Sequence, residues 1–382
     1  MTKNDYVGYF DYAAATPMLD EVVTVMEPYF SLEFYNPSAI YKSAIVVKRE
    51  YNSAIHSIAV ELGCKPRECI ITAGGTEANN LAIRGILDRY PNANAVLSSV
   101  EHDSITKPAK RYEHRLVAVD NKGKIIVTDL ANKIDDQTVL VTIQYANNEV
   151  GTVQPIKKIV EIIDNIRQDR HKRGILTPLY FHTDACQAVN YCDINTSRLG
   201  IDMMTINSGK IYGPKQCGLL YVRTGLELNP LILGGGQNFG YRSGTENVSS
   251  AIGFAKAIQI VRGDSKQEIS RLAKLQDMFF KSFKNRLIIN GPIGKNRLVN
   301  NIHITLPEFD NERLVMELDE KGFMTATGSA CSASKGTPSS VLSAMGMSDT
   351  DSKSSLRITM GRFTTTEDCE RLIKQIIAIA KI

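Results

Sequence analysis

No charge-free apolar run in this chain approaches the ~20 residues that a membrane-spanning helix needs. The opening MTKNDYVGYFDY also lacks the basic-then-apolar layout of a secretory signal, so a cytoplasmic protein is expected. Nor is there an excess of one charge. Forty-five Lys and Arg stand against forty-one Asp and Glu, scattered along the chain, which gives no support to a dedicated nucleic-acid role. The densest basic stretch, RQDRHKR (167–173), closes an amphipathic run of Ile156, Ile159, Val160, Ile163 and Ile166 just before Gly174. There it opposes the dipole of a helix C-terminus. The seven cysteines are odd in number and show no repeated short pairing, which does not suggest a disulfide framework. Cys64 and Cys69 are five apart, and neither they nor Cys186 and Cys192 have a histidine at a metal-ligating interval, so zinc is not expected. The thiols are read as reduced and mostly buried. Internal repeats, low-complexity linkers, a Walker loop and the GxGxxG spacing are all missing.

What is present is a chain of 382 residues, long enough for one large or two ordinary domains. Short β-rich runs at 68–72, 95–99, 115–119, 139–145, 179–183, 203–207 and 218–223 alternate with amphipathic helical runs. That rhythm predicts an α/β fold with a parallel sheet wrapped by helices. Ile40, Ala44, Val47, Tyr51, Ile55 and Ile58 mark a long helix before the first strand. Beyond about residue 250 the texture changes to a long helix, strands at 286–289, 300–306 and 356–360, and a closing helix at 367–379. A second, smaller α+β domain is expected, with a ligand cleft between the two.

Four segments carry chemistry. In Thr72-Ala-Gly-Gly-Thr-Glu-Ala-Asn-Asn80 a strand runs through a Gly-Gly turn into a helix, a setting in which backbone amides bind phosphate, although such turns also serve as plain punctuation. His182-Thr-Asp184-Ala-Cys-Gln187 ends one strand, and Lys210 ends another. A lysine amine for a Schiff base and a carboxylate to keep a pyridine nitrogen protonated are what a pyridoxal cofactor requires. Singly, each is as consistent with a helix cap or a solvated side chain. Glu101-His102 puts an imidazole at the same sheet edge, either to stack on a ring or to lie at the surface, and Asn147-Asn148-Glu149 adds amides there. Finally, Thr327-Gly-Ser-Ala-Cys331-Ser-Ala-Ser surrounds one thiol with small residues, which suits a nucleophile that must move rather than a core cysteine.

Taken in order, FDYAAATP, YNPS, AGGTEANNLAIRG, EHDSI, YANNEVGTVQP, HTDACQA, GKIYGPK, GGGQNFGYRSGTEN, GSACSAS and SSLRITMGRFT resemble the cysteine desulfurases of the NifS/IscS group across nearly the whole chain. The resemblance implies the class V aminotransferase form of the pyridoxal-phosphate fold type I. Its large domain, 16–250, has a mostly parallel seven-stranded sheet, and its small α+β domain is made of 1–15 with 251–382. Residue by residue it implies Lys210 as Schiff-base lysine, Asp184 as partner of the ring nitrogen, His102 as the stacking and proton-moving residue, and Gln187 at the ring hydroxyl. Gly75 and Thr76 would hold the cofactor phosphate, with Thr245, beside Gly244, reaching it from the second subunit of a homodimer. Asn148 and Arg357 would bind the substrate carboxylate. Cys331 would take sulfur from L-cysteine as a persulfide, leave alanine, and pass the sulfur to acceptor proteins for iron-sulfur clusters or tRNA thiolation.

One departure falls on the phosphate grip. The group usually carries Ser-Gly-His before the lysine, whereas this chain has Asn207-Ser208-Gly209, with Ser208 expected to substitute from the neighbouring position. Loss of a charge-assisted contact costs about 1.5–3 kcal/mol, roughly tenfold to a hundredfold in affinity. Asn238 and Phe239 replace a usual Glu-Arg pair, and Tyr41 stands near a usual His. Two other readings remain: a different class V enzyme, such as a selenocysteine lyase or aminotransferase, and a sulfur-transfer scaffold with weak cofactor retention.

Overall fold

The computed structural model describes residues 6–328 and 338–381. Seven strands form the first sheet: β1 (Cys69–Thr72), β2 (Asn94–Ser98), β3 (His114–Val117), β4 (Thr138–Thr142), β5 (Tyr180–Asp184), β6 (Met203–Asn207) and β7 (Gly218–Val222). Their order is β1-β7-β6-β5-β4-β2-β3, parallel except for β7, which runs against both neighbours. The strands are apolar on both faces because helices cover both sides. Ile71, Val96, Met204 and Leu219 enter one core, while their chain neighbours Ile70, Leu97, Met203 and Leu220 enter the core on the opposite face. The parallel strands all end at one edge, which collects Thr72, Ser98, Asp184 and Asn207.

The helix Lys42–Leu62 lies on the first of these faces together with Val248–Gly263, whose Phe254, Ala257 and Ile258 are buried in the same core. That helix crosses the residue 250 at which the sequence texture changes. The basic run ending the helix Ile156–Arg173 is less solvated than its composition implies. Arg170 is 2% exposed and donates to the carbonyls of Thr177, Pro178, Asp135 and Thr138, while Arg173 pairs with Asp136 and Asp169.

A second sheet, β8 (Ile288–Ile289), β9 (Asn301–Thr305) and β10 (Ser355–Thr359), is antiparallel in the order β10-β9-β8. The helices Ser265–Phe283 and Thr366–Ala380 supply Leu272, Phe279, Phe283, Leu372 and Ile376 to its core. The N-terminal segment joins this unit, with Phe10 buried against Phe279 and Phe323, and Tyr9 and Asp11 bridged to Met324 and Thr359. Among the described residues no helix is long and apolar enough to cross a membrane, and no cluster of His, Cys, Asp and Glu has the arrangement of a metal site.

Phe279 is fully buried and touches both Phe10 and Phe283. Phe279→Ala is expected to destabilise the second unit by about 3–5 kcal/mol, read by urea unfolding; a loss below about 1 kcal/mol contradicts this packing.

Candidate active site

A cavity of about 250 Å³ opens at the collecting edge of the first sheet, lined by Ala13, Ala14, Gly75, Thr76, Asn79, His102, Ser104, Gln144, Ala146, Asn148, Asp184, Cys186, Gln187, Asn207, Lys210 and Arg357. A wider space of about 600 Å³ adjoins it, sharing Ala14, Gly75, Thr76, Asn207 and Lys210 and adding Gly209 and Lys215.

Asp184 ends β5 with both oxygens occupied. Oδ1 accepts the Cys186 backbone N–H at 2.9 Å and Oδ2 accepts Asn79 Nδ2 at 2.7 Å. Two donors, one on each oxygen, fix the orientation of the carboxylate. Lys210 lies in the short turn after β6, and its Nζ donates to the carbonyls of Ala13 at 2.7 Å and Ala14 at 2.5 Å. Burial lowers its pKa from the ordinary lysine value; nearby Cys186 raises it and Arg357 lowers it. Gln187 reaches the same Ala13 carbonyl through Nε2 at 2.9 Å. The first helix after β1, Gly75–Leu87, begins at the cavity wall with Gly74 as N-cap at φ 134°, where a side chain is strained. Gly75 is equally constrained, since a Cβ there would lie 2.9 Å from Cys186 Sγ. Bare amides therefore face the cavity at the positive end of a thirteen-residue helix.

Arg357 extends from β10 of the other sheet and is 2% exposed. Its Nη2 pairs with Asp11 at 2.7 Å, its Nη1 donates to the Asn148 carbonyl at 3.3 Å, and its Nε is buried without a hydrogen-bond partner among the described residues. The fork keeps donor capacity for a carboxylate.

Eight of the site residues named from the sequence thus line one cavity: Lys210, Asp184, His102, Gln187, Gly75, Thr76, Asn148 and Arg357. Ser208 is a correction. β6 ends at Asn207, which lines the cavity, whereas Ser208, the first residue of the short turn that carries Lys210, lines neither cavity and is fully buried. Its Oγ lies where a Cβ on Gly213 would approach to 2.1 Å, on the side away from both cavities' lining. Thr245 is exposed and lines neither cavity of its own chain. Cys331 lies outside the described residues.

Sequence reasoning passed over Asp11, Asn79, Cys186 and Asn207. Asn79 carries a usable signal, standing four residues after Gly75 on the same helix face. Cys186, among the thiols read as mostly buried, lines the cavity instead; its thiol is pushed well above its usual pKa by burial and by the adjacent Asp184. Asp11 has no local signal, because only the fold brings the N-terminus against β10.

The model of the class-V aminotransferases matches residues 8–372. The chain belongs to that family. It is 36% identical to the cysteine desulfurase IscS of Dictyoglomus turgidum, over 97% of this chain and 96% of that one. A solved NifS-like protein superposes with a TM-score of 0.88 at 26% identity, covering 98% of this chain and 99% of the other. The structure described as SspA in complex with cysteine matches with a TM-score of 0.79 and 31% identity, over 92% and 98%.

The lowered basicity of Lys210 gives a direct test. In cofactor-free protein, acetic anhydride is expected to half-label Lys210 at a lower pH than the exposed lysines, followed by peptide mass spectrometry. Half-labelling at the same or a higher pH would show that burial does not set its protonation.

Proposed function

We propose that this chain is a pyridoxal 5'-phosphate-dependent cysteine desulfurase that converts L-cysteine to alanine and holds the sulfur on Cys331. The observation that carries the reading is the convergence, in one cavity, of an amine made less basic by burial, a doubly held carboxylate and an arginine with spare donors. A helix N-terminus and the planar groups of His102 and Gln187 complete a donor set that fits a phosphorylated pyridine aldehyde.

When bound through its aldehyde to a lysine amine, that cofactor supplies an electron sink for charge developing at the substrate α-carbon. Lys210 is the amine in this reading, and its low basicity favours the neutral, nucleophilic form. Asp184 keeps a proton on the ring nitrogen. Gly75 and Thr76 offer amides to the phosphate, with Asn207 beside them in place of the expected Ser208. Arg357 and Asn148 hold the substrate carboxylate, which competes with Asp11 for the guanidinium. Lys210 moves the α-proton, and His102 exchanges a proton with the substrate. The thiolate of Cys331 attacks the substrate sulfur: a sulfur–sulfur bond forms, the carbon–sulfur bond breaks, and the electron pair left on carbon takes up a proton as alanine forms. An acceptor thiol then removes the outer sulfur from Cys331.

In this reading the enzyme works in the cytoplasm as a homodimer, with Gly244 and Thr245 of one copy completing the phosphate site of the other. The exposure of both residues supports it. The acceptors are proteins of iron-sulfur assembly or tRNA thiolation. We keep the division into a large unit, 16–250, and a smaller unit, 1–15 with 251–382, with the helix Val248–Gly263 serving as the seam.

The test is alanine and sulfide formation from L-cysteine with a dithiol reductant, with added cofactor titrated. Cys331→Ser is expected to lose about 100-fold or more, as removal of a covalent nucleophile does. A wild-type protein inactive at saturating cofactor would overturn the proposal, and alanine formation indifferent to Cys331 would redirect it to another class V chemistry.

A further inference from the structure

His102, Ser104, Asn79 and Asp184 are linked in an unbroken line of hydrogen bonds. Ser104 is the second residue of the helix Asp103–Ala109, for which His102 is the N-cap, and its backbone N–H donates to His102 Nδ1 at 3.1 Å. Ser104 Oγ lies 2.9 Å from the same nitrogen. Asn79 Nδ2 donates to Ser104 Oγ at 2.8 Å and to Asp184 Oδ2 at 2.7 Å. Asn79 is 1% exposed and Ser104 8%, so both belong to the cavity wall rather than to the solvent.

The donor and acceptor inventory fixes every direction in this line. A carboxylate accepts only, so the NH2 group of Asn79 must face Asp184. The Asn79 Oδ1 is buried with no hydrogen-bond partner among the described residues, so the amide is oriented by its NH2 group alone. Ser104 Oγ accepts from that NH2 group and is left to donate its own proton towards His102. A backbone N–H also donates only. His102 Nδ1 therefore faces two donors and must carry the lone pair.

We propose that Asn79 and Ser104 are positioning residues that hold His102 as its Nε2–H tautomer and tie the setting of the imidazole to Asp184. A proton on Nδ1 would point at the Ser104 N–H and break the cap of the helix. The neutral ring consequently presents its proton through Nε2, the nitrogen left for the cavity that His102 lines. His102 thus enters the reaction as a donor, and the base at the substrate α-carbon is Lys210. Asn79 also fixes one oxygen of Asp184, so the ring-nitrogen partner and the proton donor are set by one element, the Asn79 amide. The assignment of donor and base rests on the function proposed above, but the tautomer does not.

The test uses the holoenzyme labelled with 15N-histidine at about pH 8.5, where an ordinary imidazole is neutral, with the His102 signal assigned by its loss in His102→Gln. The wild type is expected to show Nε2 protonated and Nδ1 bare. Ser104→Ala and Asn79→Ala should each admit a share of the Nδ1–H form. Each should also lower kcat on the order of 10-fold or more, part of the 10²–10⁴ that a positioned acid–base group contributes, with a much smaller change in KM. Ser104→Thr should restore both readouts. The double Ala variant should be no worse than the weaker single, because the two residues act as a unit. A wild-type His102 protonated on Nδ1 overturns the proposal. So do single variants with the wild-type spectrum and kcat, or losses that add while the tautomer stays fixed. A wild type without desulfurase activity but with the expected spectrum would sink only the functional reading.

Discussion

The site depends on the carboxylate of Asp184 being held from two directions at the end of the central strand. A half-buried charge needs donors, and here one comes from its own turn, the Cys186 N–H, and the other from a different helix, the Asn79 amide. Those two bonds fix where the β5 turn meets the helix that opens at Gly75, and Cys186 Sγ fills the gap against that glycine. The start of the helix at Gly75, the setting of His102 through Ser104 and Asn79, and the cavity wall all follow from this one junction. Breaking it leaves a charge without partners in a place poorly reached by water, which is a larger penalty than the loss of one ordinary hydrogen bond.

The second organising contact is the N-terminal segment. It is short, but it touches both sheets: Asp11 meets Arg357 on β10, Thr16 N–H donates to the Gly209 carbonyl, and the Ala13 and Ala14 carbonyls hold Lys210. Carbonyls accept from an ammonium without neutralising it, whereas burial disfavours its charge. Lys210 is therefore restrained in place yet lowered in basicity, a combination that a carboxylate partner would not produce. Asp11, by contrast, pairs with Arg357, so under the proposed function binding of a substrate carboxylate would exchange one ion pair for another rather than fill an uncompensated charge.

Much of this was legible in the sequence because the fold obeys simple periodicities. Short β-rich runs alternating with amphipathic spacings located the seven strands and the long helices, and parallel strands ending together brought Asp184, Asn207 and Lys210 to one edge. The ordered motifs did the rest for His102, Gln187, Asn148 and Arg357. Ser208 departs from the expectation because adjacency in sequence to Asn207 is not adjacency in space. The chain leaves β6 at Asn207, which faces the cavity, and turns Ser208 into the interior. The antiparallel insertion of β7 between β1 and β6 had no local mark either. Asp11 and the bridge through Asn79 depend on contacts 346 and 105 residues apart along the chain, which no window of sequence reveals.

The central claim is that Lys210 is the residue to which the cofactor binds. Protein purified with pyridoxal 5'-phosphate should be reduced with sodium borohydride, digested and mapped by mass spectrometry. The account predicts a stable phosphopyridoxyl adduct on the peptide containing Lys210. An adduct on another lysine, or none at a cofactor concentration that saturates absorbance, would contradict it.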